Sequence, residues 1–273
     1  MNMNVYDIVS GKSLEIKGRV QTMLQDGTLA RVLPEFVALM PKQGFSGHKD
    51  NFWHTVQVIC QTHDLGGSED LKVVALMHDL GKGATARYDE KRGWTFHMHE
   101  EVGARIVDAV FERQGLCRKK AAYVKNVMIF SGRMKSVTEE GVTDSAVRRY
   151  TKELFDATIE SEAGFASVLA DVVLFSKADI TTRHEDKKIE FRRRMDEFHS
   201  RVCAVIKADE DSRWRMSVDA HEIMRATGLE PGRLLGEIKK KLEQLVKSGE
   251  LPDDPAAILD KAQMLLNKKP EKL

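Results

Sequence analysis

The sequence predicts an all-α protein, and two observations support that fold class. Apolar residues recur at spacings of three and four along almost all of the 273-residue chain, whereas alternating apolar and polar runs are short. Hydrophobic residues make up 42% of the chain, enough to bury a core in one large domain or in one domain with an appendage. We therefore expect a helical bundle followed by a small helical tail.

Turn-forming clusters such as "HDLGGS" and "TGLEPG" separate the periodic segments and limit the predicted helices. The predicted helices cover about residues 19–40, 50–63, 69–81, 97–114, 117–131, 144–156, 161–182, 185–208, 217–227, 231–248 and 254–267. The stretch "ARYDEKRGWTF" predicts a small hairpin with Gly93 at its turn. A break near residue 210, "KADEDSR", predicts three parts: an N-terminal extension at 1–28, a main domain at 29–208 and a helical tail at 209–273.

Charge and cysteine usage limit the compartment and the partners. Lys plus Arg (43) nearly cancels Asp plus Glu (42), so any attraction to nucleic acid must be local. The three cysteines lack CxxC spacing, and the N-terminus lacks a basic-then-apolar export pattern. No stretch reaches the roughly 20 apolar residues of a membrane span. We expect a reduced, cytoplasmic protein without a membrane partner.

Two histidines are predicted to lie at the same end of two neighbouring helices. The predicted helices at about 50–63 and 69–81 are joined by a glycine-rich turn, so they should run antiparallel. At about 1.5 Å per residue, His54 lies roughly 14 Å before the turn and His78 roughly 14 Å after it. Both imidazoles occupy apolar stripes. An inward imidazole left without a partner costs on the order of 1–3 kcal/mol, so each ring requires a polar partner.

Two aspartates could supply that partner. Asp179 continues the apolar stripe of the predicted helix at about 161–182, and Asp79 directly follows His78. A buried carboxylate is costly unless a cation or several donors compensate it. One divalent cation bound by His54, His78, Asp79 and Asp179 would satisfy all four groups. Two nitrogens and two oxygens favour Mn, Fe, Co or Ni, with Zn or Mg also compatible. A structural polar network is the alternative interpretation.

The spacing of these residues resembles a family signature. The series "H…HDLGK…HE…AD" is similar to that of the HD-domain phosphohydrolase superfamily, whose metal is held by a first His, the His-Asp doublet and a late Asp. Over about residues 29–265, the chain also resembles the C-terminal portion of bacterial tRNA nucleotidyltransferases (CCA-adding enzymes) and poly(A) polymerases. The segments that carry this likeness are "LPEFVALMPKQGFSGHKDNFWHTVQVI", "ALMHDLGKGATARYDEKRGWTFHMHEEVGARI", "TDSAVRRYTKELF", "LFSKADITTR" and "DAHEIMRATGLEPGRLLGEIKKKLEQLVKSGELPDD".

Two departures from the family pattern shape the expected activity. The family's transferase head carries a "GGxVRD"-like turn and an Asp-x-Asp pair, and neither occurs before residue 29. We therefore expect the HD body and tail without the nucleotidyltransferase head, and no nucleotide addition. Ser131 stands where the family commonly has His, which favours a single metal ion over a two-metal site.

The resemblance implies phosphate-ester hydrolysis and a role for each candidate residue. Asp79 or Asp179 would orient a metal-bound water, Lys82 would neutralise phosphate charge, and His99 would protonate the leaving oxygen or grip the phosphate. Lys82 has an alternative reading as an ordinary lysine at a helix C-terminus. Arg148, Arg149 and Arg183 resemble family positions around the site and the RNA path, with Arg183 assigned to catalysis. His97 and Arg133 are further candidate substrate contacts, and ordinary solvated surface positions are the alternative for these side chains.

Three hypotheses about function follow from this interpretation of the sequence. The leading hypothesis is a metal-dependent phosphodiesterase or phosphatase that acts on nucleotides, 2′,3′-cyclic phosphates or RNA 3′ ends, with tRNA as a further candidate partner. One alternative is an HD hydrolase of a nucleoside triphosphate, a cyclic dinucleotide or an alarmone. The other is a non-catalytic tRNA-binding partner of a separate nucleotidyltransferase head.

Overall fold

Two compact units make up the chain in a computed structural model that describes residues 3–40, 50–91, 93–138, 142–159, 161 and 163–267. One unit comprises Met1–Ile206 and the other Lys207–Leu273. The division falls within a long helix, Glu185–Arg213, that was predicted to end near residue 208.

Helices form nearly all of the described secondary structure, which confirms the all-α prediction. The first unit contains α1 (Val5–Val9), α2 (Ser13–Gln25), α3 (Thr28–Val32), α4 (Pro34–Val37), α5 (Asn51–Asp64), α6 (Glu69–Met77), α7 (Gly81–Thr85), β1 (Arg87–Asp89), β2 (Gly93–Thr95), α8 (His99–Arg113), α9 (Arg118–Val137), α10 (Asp144–Thr158), α11 (Phe165–Ala178) and most of α12 (Glu185–Arg213). The second unit contains α13 (Ala220–Thr227), α14 (Arg233–Lys247) and α15 (Pro255–Asn267).

The predicted helix at about 19–40 is instead three helices. Gly27 adopts a left-handed conformation with φ 76° and separates α2 from α3. Pro34 occupies the first turn of α4, where its missing N–H costs no helical hydrogen bond. Ahead of them, α1 was not predicted, yet Val5 and Ile8 are fully buried in the core of the first unit. Five residues were too few to show a helical period, so only the packed structure reveals this helix.

The hairpin is confirmed, but its turn differs from the prediction. Strands β1 and β2 pair antiparallel, with Arg87 opposite Thr95 and Asp89 opposite Gly93. Gly93 therefore begins β2 instead of lying in the turn. Its φ of 72° explains why glycine occupies this position.

The α5–α6 pair forms as the sequence predicts, with clear caps at both starts. Asp50 accepts a hydrogen bond from the Trp53 amide at 3.0 Å, and Ser68 accepts one from the Leu71 amide at 3.1 Å. Between the helices, Gly67 packs so tightly that a Cβ there would lie 2.8 Å from the Thr62 carbonyl oxygen. This tight turn reverses the direction of the chain, so that α6 lies alongside α5.

Helix α6 ends earlier than the predicted limit at residue 81. Its last residue is Met77, and His78 is the C-cap, with its amide donating to Val74 at 2.9 Å. The following amides make bonds of the tighter i to i−3 type, Leu80 to Met77 at 3.1 Å and Lys82 to Asp79 at 2.9 Å. Asp79 thus lies in a turn between α6 and α7, and Lys82 belongs to α7.

Helix α11 carries one of the predicted site residues on its buried face. Val168 and Val172 are fully buried and Phe175 is 2% exposed, so this stripe packs into the core of the first unit. Burying each such side chain contributes roughly 1.5–3 kcal/mol. Asp179 is the C-cap of this helix and lies next along the stripe.

The second unit has a hydrophobic core of its own. Ile223, Leu242 and Ile258 are fully buried there, one from each of its three short helices. None of the helices in the described part of the chain is both long and apolar enough to cross a membrane.

A close approach of two backbones joins α7 to α8. A Cβ at Gly81 would overlap the carbonyl oxygen of His99 and lie 2.8 Å from the amide nitrogen of Gly103. Neither neighbour is a flexible side chain, so the contact exists only because residue 81 is glycine. This backbone contact brings Lys82 and His99 to the wall of one cavity.

We predict that Gly81→Ala destabilises the first unit by roughly 1–3 kcal/mol, because the added methyl group meets backbone atoms. Gly18→Ala is the matched control: Gly18 lies within α2 and a Cβ there meets no atom within 4 Å. That substitution should stabilise the protein by about 0.5–1 kcal/mol. Urea unfolding followed by circular dichroism measures both. Equal unfolding midpoints for the two variants would contradict the close backbone contact.

Candidate metal centre

Three segments converge on one point of the first unit. Helix α5 brings His54, the end of α6 brings His78, and the end of α11 brings Asp179. The imidazole centroids of the two histidines lie 5.6 Å apart. Each of the three residues offers one ligand atom, and these atoms all lie within 4.8 Å of one another, so the group could hold a metal ion.

Both carboxylates face both imidazoles. Nε2 of His54 lies 3.2 Å from Asp179 Oδ1 and 3.8 Å from Asp79 Oδ2. Nε2 of His78 lies 3.3 Å from Asp79 Oδ2 and 3.5 Å from Asp179 Oδ1. The four residues that the sequence singled out as metal ligands therefore lie together. His54, His78 and Asp179 form the group whose ligand atoms are all mutually close, and Asp79 contacts both imidazoles beside it.

The two histidine rings are oriented by their other nitrogens. Nδ1 of His78 lies 2.8 Å from the carbonyl oxygen of Ala75, to which it donates, so Nε2 is the atom left for the centre. That Nε2 is buried and makes no hydrogen bond of good geometry among the described residues. Nδ1 of His54 lies 3.2 Å from the Thr181 hydroxyl. An imidazole whose second nitrogen is held by a carbonyl oxygen, as in His78, is typical of a metal ligand.

The charges of the centre compensate one another in the absence of a cation. Burial alone would lower the pKa of His78, but the carboxylates of Asp79 and Asp179 outweigh it and raise that pKa to about 10. Burial would raise the pKa of Asp79, yet His78 and Lys82 hold it well below its usual value. Against the same burial effect, His54 and His78 hold the pKa of Asp179 low. A divalent cation bound here would replace the imidazole proton.

A cavity of about 310 Å³ opens on this centre. Its polar wall is formed by His78, Asp79, Lys82, His99, Glu100 and Asp179. The Lys82 ammonium lies 2.8 Å from Asp79 Oδ2. A second cavity of about 540 Å³ reaches His54 and Asp179 past Thr181. Both cavities include Lys82, which places this cation where a bound phosphate would meet the two imidazoles and carboxylates.

His99 is held at the start of α8 in the same manner as His78. Its Nδ1 lies 2.9 Å from the carbonyl oxygen of Phe96, to which it donates, so Nε2 is the nitrogen that can exchange a proton with a ligand. The residue before it, Met98, adopts a left-handed conformation with φ 60°, unusual for a residue other than glycine. This turn places the Phe96 carbonyl under the imidazole.

Arg133, a predicted substrate contact, is engaged elsewhere. It pairs with Glu153 of α10, and its guanidinium lies 5.1 Å from the centroid of the Phe130 ring and 5.8 Å from that of Tyr150. Among the described residues that line the cavity, its neighbour Ser131 is present and Arg133 is not. The structure therefore gives Arg133 a packing role between α9 and α10.

The remaining predicted substrate contacts, and Arg183, which was predicted to be catalytic, are not among the described residues that line the 310 Å³ cavity. Arg148 and Arg149 are exposed on α10, and Arg183 is exposed in the segment before α12. His97 is also exposed, but it lines a neighbouring cavity of about 560 Å³ together with Lys82 and His99. Of this group, only His97 adjoins the centre, and the roles predicted for all four stay predictions.

Sequence analysis missed two features of the site. Thr181 contacts His54, and the sequence carries only a weak signal for it, a threonine two residues after the aspartate in "ADITT". The carboxylate of Glu100 lies against Gly132, where a Cβ would overlap it. This contact joins α8 to α9, and nothing in the linear spacing predicts it.

Comparison with known proteins adds to this geometry. Residues 51–168 match the family model described as HD domain, and this range contains His54, His78, Asp79 and His99. Asp179 lies beyond the match. The His and Asp cluster described above fits a metal site.

Two curated relatives share part of the chain. A multifunctional CCA protein of Alkalilimnicola ehrlichii is 36% identical over 91 residues, which are 32% of this chain and 21% of the relative. One of Teredinibacter turnerae is 31% identical over 98 residues, which are 34% of this chain and 23% of the relative. The chain thus matches less than a quarter of the length of either relative. Residues 51–168 thus match the HD-domain family model, and the chain resembles the multifunctional CCA proteins over part of its length.

Proposed function

We propose that this protein is a metal-dependent phosphohydrolase that cleaves phosphate esters of nucleotides, including 2′,3′-cyclic phosphates and RNA 3′ ends. The observation that carries the proposal is the buried Nε2 of His78. It makes no hydrogen bond of good geometry within the described part of the chain, while two carboxylate oxygens lie 3.3 and 3.5 Å away. A divalent cation shared with His54 would satisfy all of these atoms.

We propose one metal ion, bound by His54, His78, Asp79 and Asp179. Two imidazole nitrogens and two carboxylate oxygens suit Mn, Fe, Co or Ni, and the same set also accepts Zn or Mg. Such an ion would lower the pKa of a bound water and polarise the phosphoryl oxygens.

The side chains around the centre would orient the water, compensate the phosphate charge and supply a proton. Asp79 orients the attacking water, because its carboxylate touches both the centre and Lys82. The Lys82 ammonium compensates the charge of the phosphate. His99 delivers a proton to the leaving oxygen through Nε2, since its Nδ1 is committed to the Phe96 carbonyl.

The substrate class rests on the likeness to the multifunctional CCA proteins. A phosphorylated RNA end would let Arg183, and further along Arg148 and Arg149, contact the RNA backbone, with tRNA as a candidate partner. His97 would contact the same ligand from the adjoining cavity.

The cysteines Cys60, Cys117 and Cys203 are all free thiols, which agrees with a reducing compartment such as the cytoplasm.

We expect Asp79→Ala to lower hydrolysis of a 2′,3′-cyclic nucleotide by more than about 100-fold, since loss of a ligand should exceed the effect of losing a group that supports one. Metal content of the purified variant should fall in parallel. Asp108→Ala is the matched control, because its carboxylate is exposed and paired with Lys125 at 2.6 Å. Activity, metal content and helicity should be kept in that control.

Unchanged turnover in the Asp79→Ala variant would contradict the proposal. Tight, salt-dependent tRNA binding by the unmodified protein without hydrolysis under any metal would favour a non-catalytic RNA-binding role. Hydrolysis restricted to a triphosphate, a cyclic dinucleotide or an alarmone would keep the metal site and change the substrate.

A second prediction concerns the hydroxyl that orients His54. Thr181→Val keeps the shape of the side chain but removes the partner of Nδ1, so metal affinity should fall by about 10- to 100-fold. Thr151→Val is the control, because that hydroxyl donates only to the Val147 carbonyl within α10, at 2.8 Å. Competition titration with a metal-binding dye measures both. Equal affinities in the two variants would show that Thr181 does not support the site.

A further inference from the structure

An aromatic row on the hairpin, Tyr88, Trp94 and Phe96, leads toward the metal centre. Tyr88 of β1 lies opposite Trp94 of β2, so their side chains share one face, and their ring centroids are 5.6 Å apart. Phe96 follows two residues after Trp94, just past the end of β2. Tyr88 is 56% exposed, and the other two side chains are partly exposed. The proposed hydrolysis uses none of these rings.

The aromatic row ends in a cavity that adjoins the centre. Trp94, Phe96 and Met98 line the cavity of about 560 Å³ described above, together with Lys82 and His99. Lys82 and His99 also line the 310 Å³ cavity at the centre. The Lys82 ammonium lies 5.7 Å from the centroid of the Phe96 ring. A phosphate bound between Lys82 and the centre would therefore place its nucleotide beside these rings.

Met98 lines this cavity at a conformational cost. Its φ of 60° lies in the left-handed region, which glycine adopts more easily. Burial of apolar surface does not offset the cost, because the side chain is 60% exposed. Backbone outliers of this kind cluster at functional sites. A thioether is also a favourable neighbour for an aromatic ligand.

The charges of the cavity favour a neutral, flat group over a second phosphate. The carboxylates of Glu100 and Glu101 line it beside the cation of Lys82, and they would repel a phosphate. A nucleobase is uncharged and stacks on aromatic side chains whatever its identity. Stacking on a protein surface requires unpaired bases, as at the single-stranded end of an RNA.

We propose that the aromatic row, with Met98, binds the unpaired bases of a single-stranded RNA end whose terminal phosphate lies at the metal centre. This inference rests on the proposed function, because the scissile phosphate is taken to lie beside Lys82. The base next to that phosphate occupies the 560 Å³ cavity against Trp94 and Phe96, and the preceding base stacks on Tyr88. The row thus selects RNA ends over mononucleotides.

Equilibrium binding to the full chain in EDTA tests the proposal without metal-dependent turnover. The probe is a 5′-fluorescein RNA of six uridines with a 3′-phosphate, followed by fluorescence anisotropy. The comparison probe has hydrogen in place of its last two bases, which keeps every phosphate charge. It should bind about tenfold or more weakly, within the range for loss of base stacking. Equal binding of the two probes, or competition by uridine 3′-monophosphate as strong as by the unlabelled RNA, would overturn the proposal.

Variants of Tyr88 separate stacking from a structural effect. Tyr88→Ala should weaken binding of the full probe by about tenfold and change binding of the abasic probe by less than about twofold. Tyr88→Phe keeps the ring and should bind both probes as the unmodified chain does. An equal loss on both probes in Tyr88→Ala would contradict stacking.

Phe155→Ala is the matched control for these variants. Phe155 is an aromatic residue of α10 that is 55% exposed, nearly the same as Tyr88, and its ring centroid lies 5.9 Å from that of Phe165. Loss of this ring should leave binding of both probes unchanged. A loss of RNA binding as large as that of Tyr88→Ala would assign the effect to exposed rings in general and overturn the proposal.

Met98→Gly should change stability and binding in opposite directions. The midpoint of urea unfolding should rise, because glycine adopts the left-handed conformation without strain. Binding of the full probe should fall by about threefold or more, because the contact with the base is lost. Unchanged binding would contradict a role for Met98 in the site.

These outcomes separate the two proposals. Hydrolysis of phosphate esters without any effect of the last two bases on binding keeps the phosphohydrolase and rejects the base-stacking row. Base-dependent RNA binding without hydrolysis under any metal keeps the row and rejects the phosphohydrolase.

Discussion

The fold of the first unit depends on the mutual compensation of two imidazoles and two carboxylates. Each of these groups is costly to bury alone. His54 lies in the first turn of α5, His78 and Asp179 are the C-caps of α6 and α11, and Asp79 lies in the turn after α6. The two carboxylates raise the pKa of His78 to about 10. The imidazoles in turn hold the pKa values of Asp79 and Asp179 below their usual range. The same four side chains could bind a divalent cation, which would balance the charge of the two carboxylates in place of the imidazole proton.

Glycines then bring the remaining chemistry to that centre. Gly81 lets α7 touch the start of α8, so that Lys82 and His99 line one cavity beside the centre. Gly132 leaves space for the Glu100 carboxylate, so that α8 and α9 meet beside the cavity. The packing of small residues therefore determines how these helices meet.

Helical periodicity was sufficient to predict which residues face the centre. His54 and Asp179 continue apolar stripes, and a short loop forces α5 and α6 to lie side by side. Periodicity failed where local hydrogen bonds compete with helix continuation, as at Met77, where tighter turns replace α-helical bonds. It also failed for Thr181, because a contact between the end of α11 and α5 has no expression in the spacing of either segment. Nor does the spacing predict the ion pair of Arg133 with Glu153 or its contact with the Phe130 ring, and the substrate contact predicted for Arg133 stays a prediction.

The central claim is that the four converging residues bind one metal ion. X-ray absorption spectroscopy of the manganese-loaded full chain tests it most directly, because the spectrum reports the ligand atoms themselves. The account predicts a first shell of nitrogen and oxygen atoms with two imidazole contributions, and loss of one such contribution in His78→Ala. A shell of water oxygens alone, a shell with sulfur from cysteine, or a spectrum unchanged in the His78 variant would contradict it.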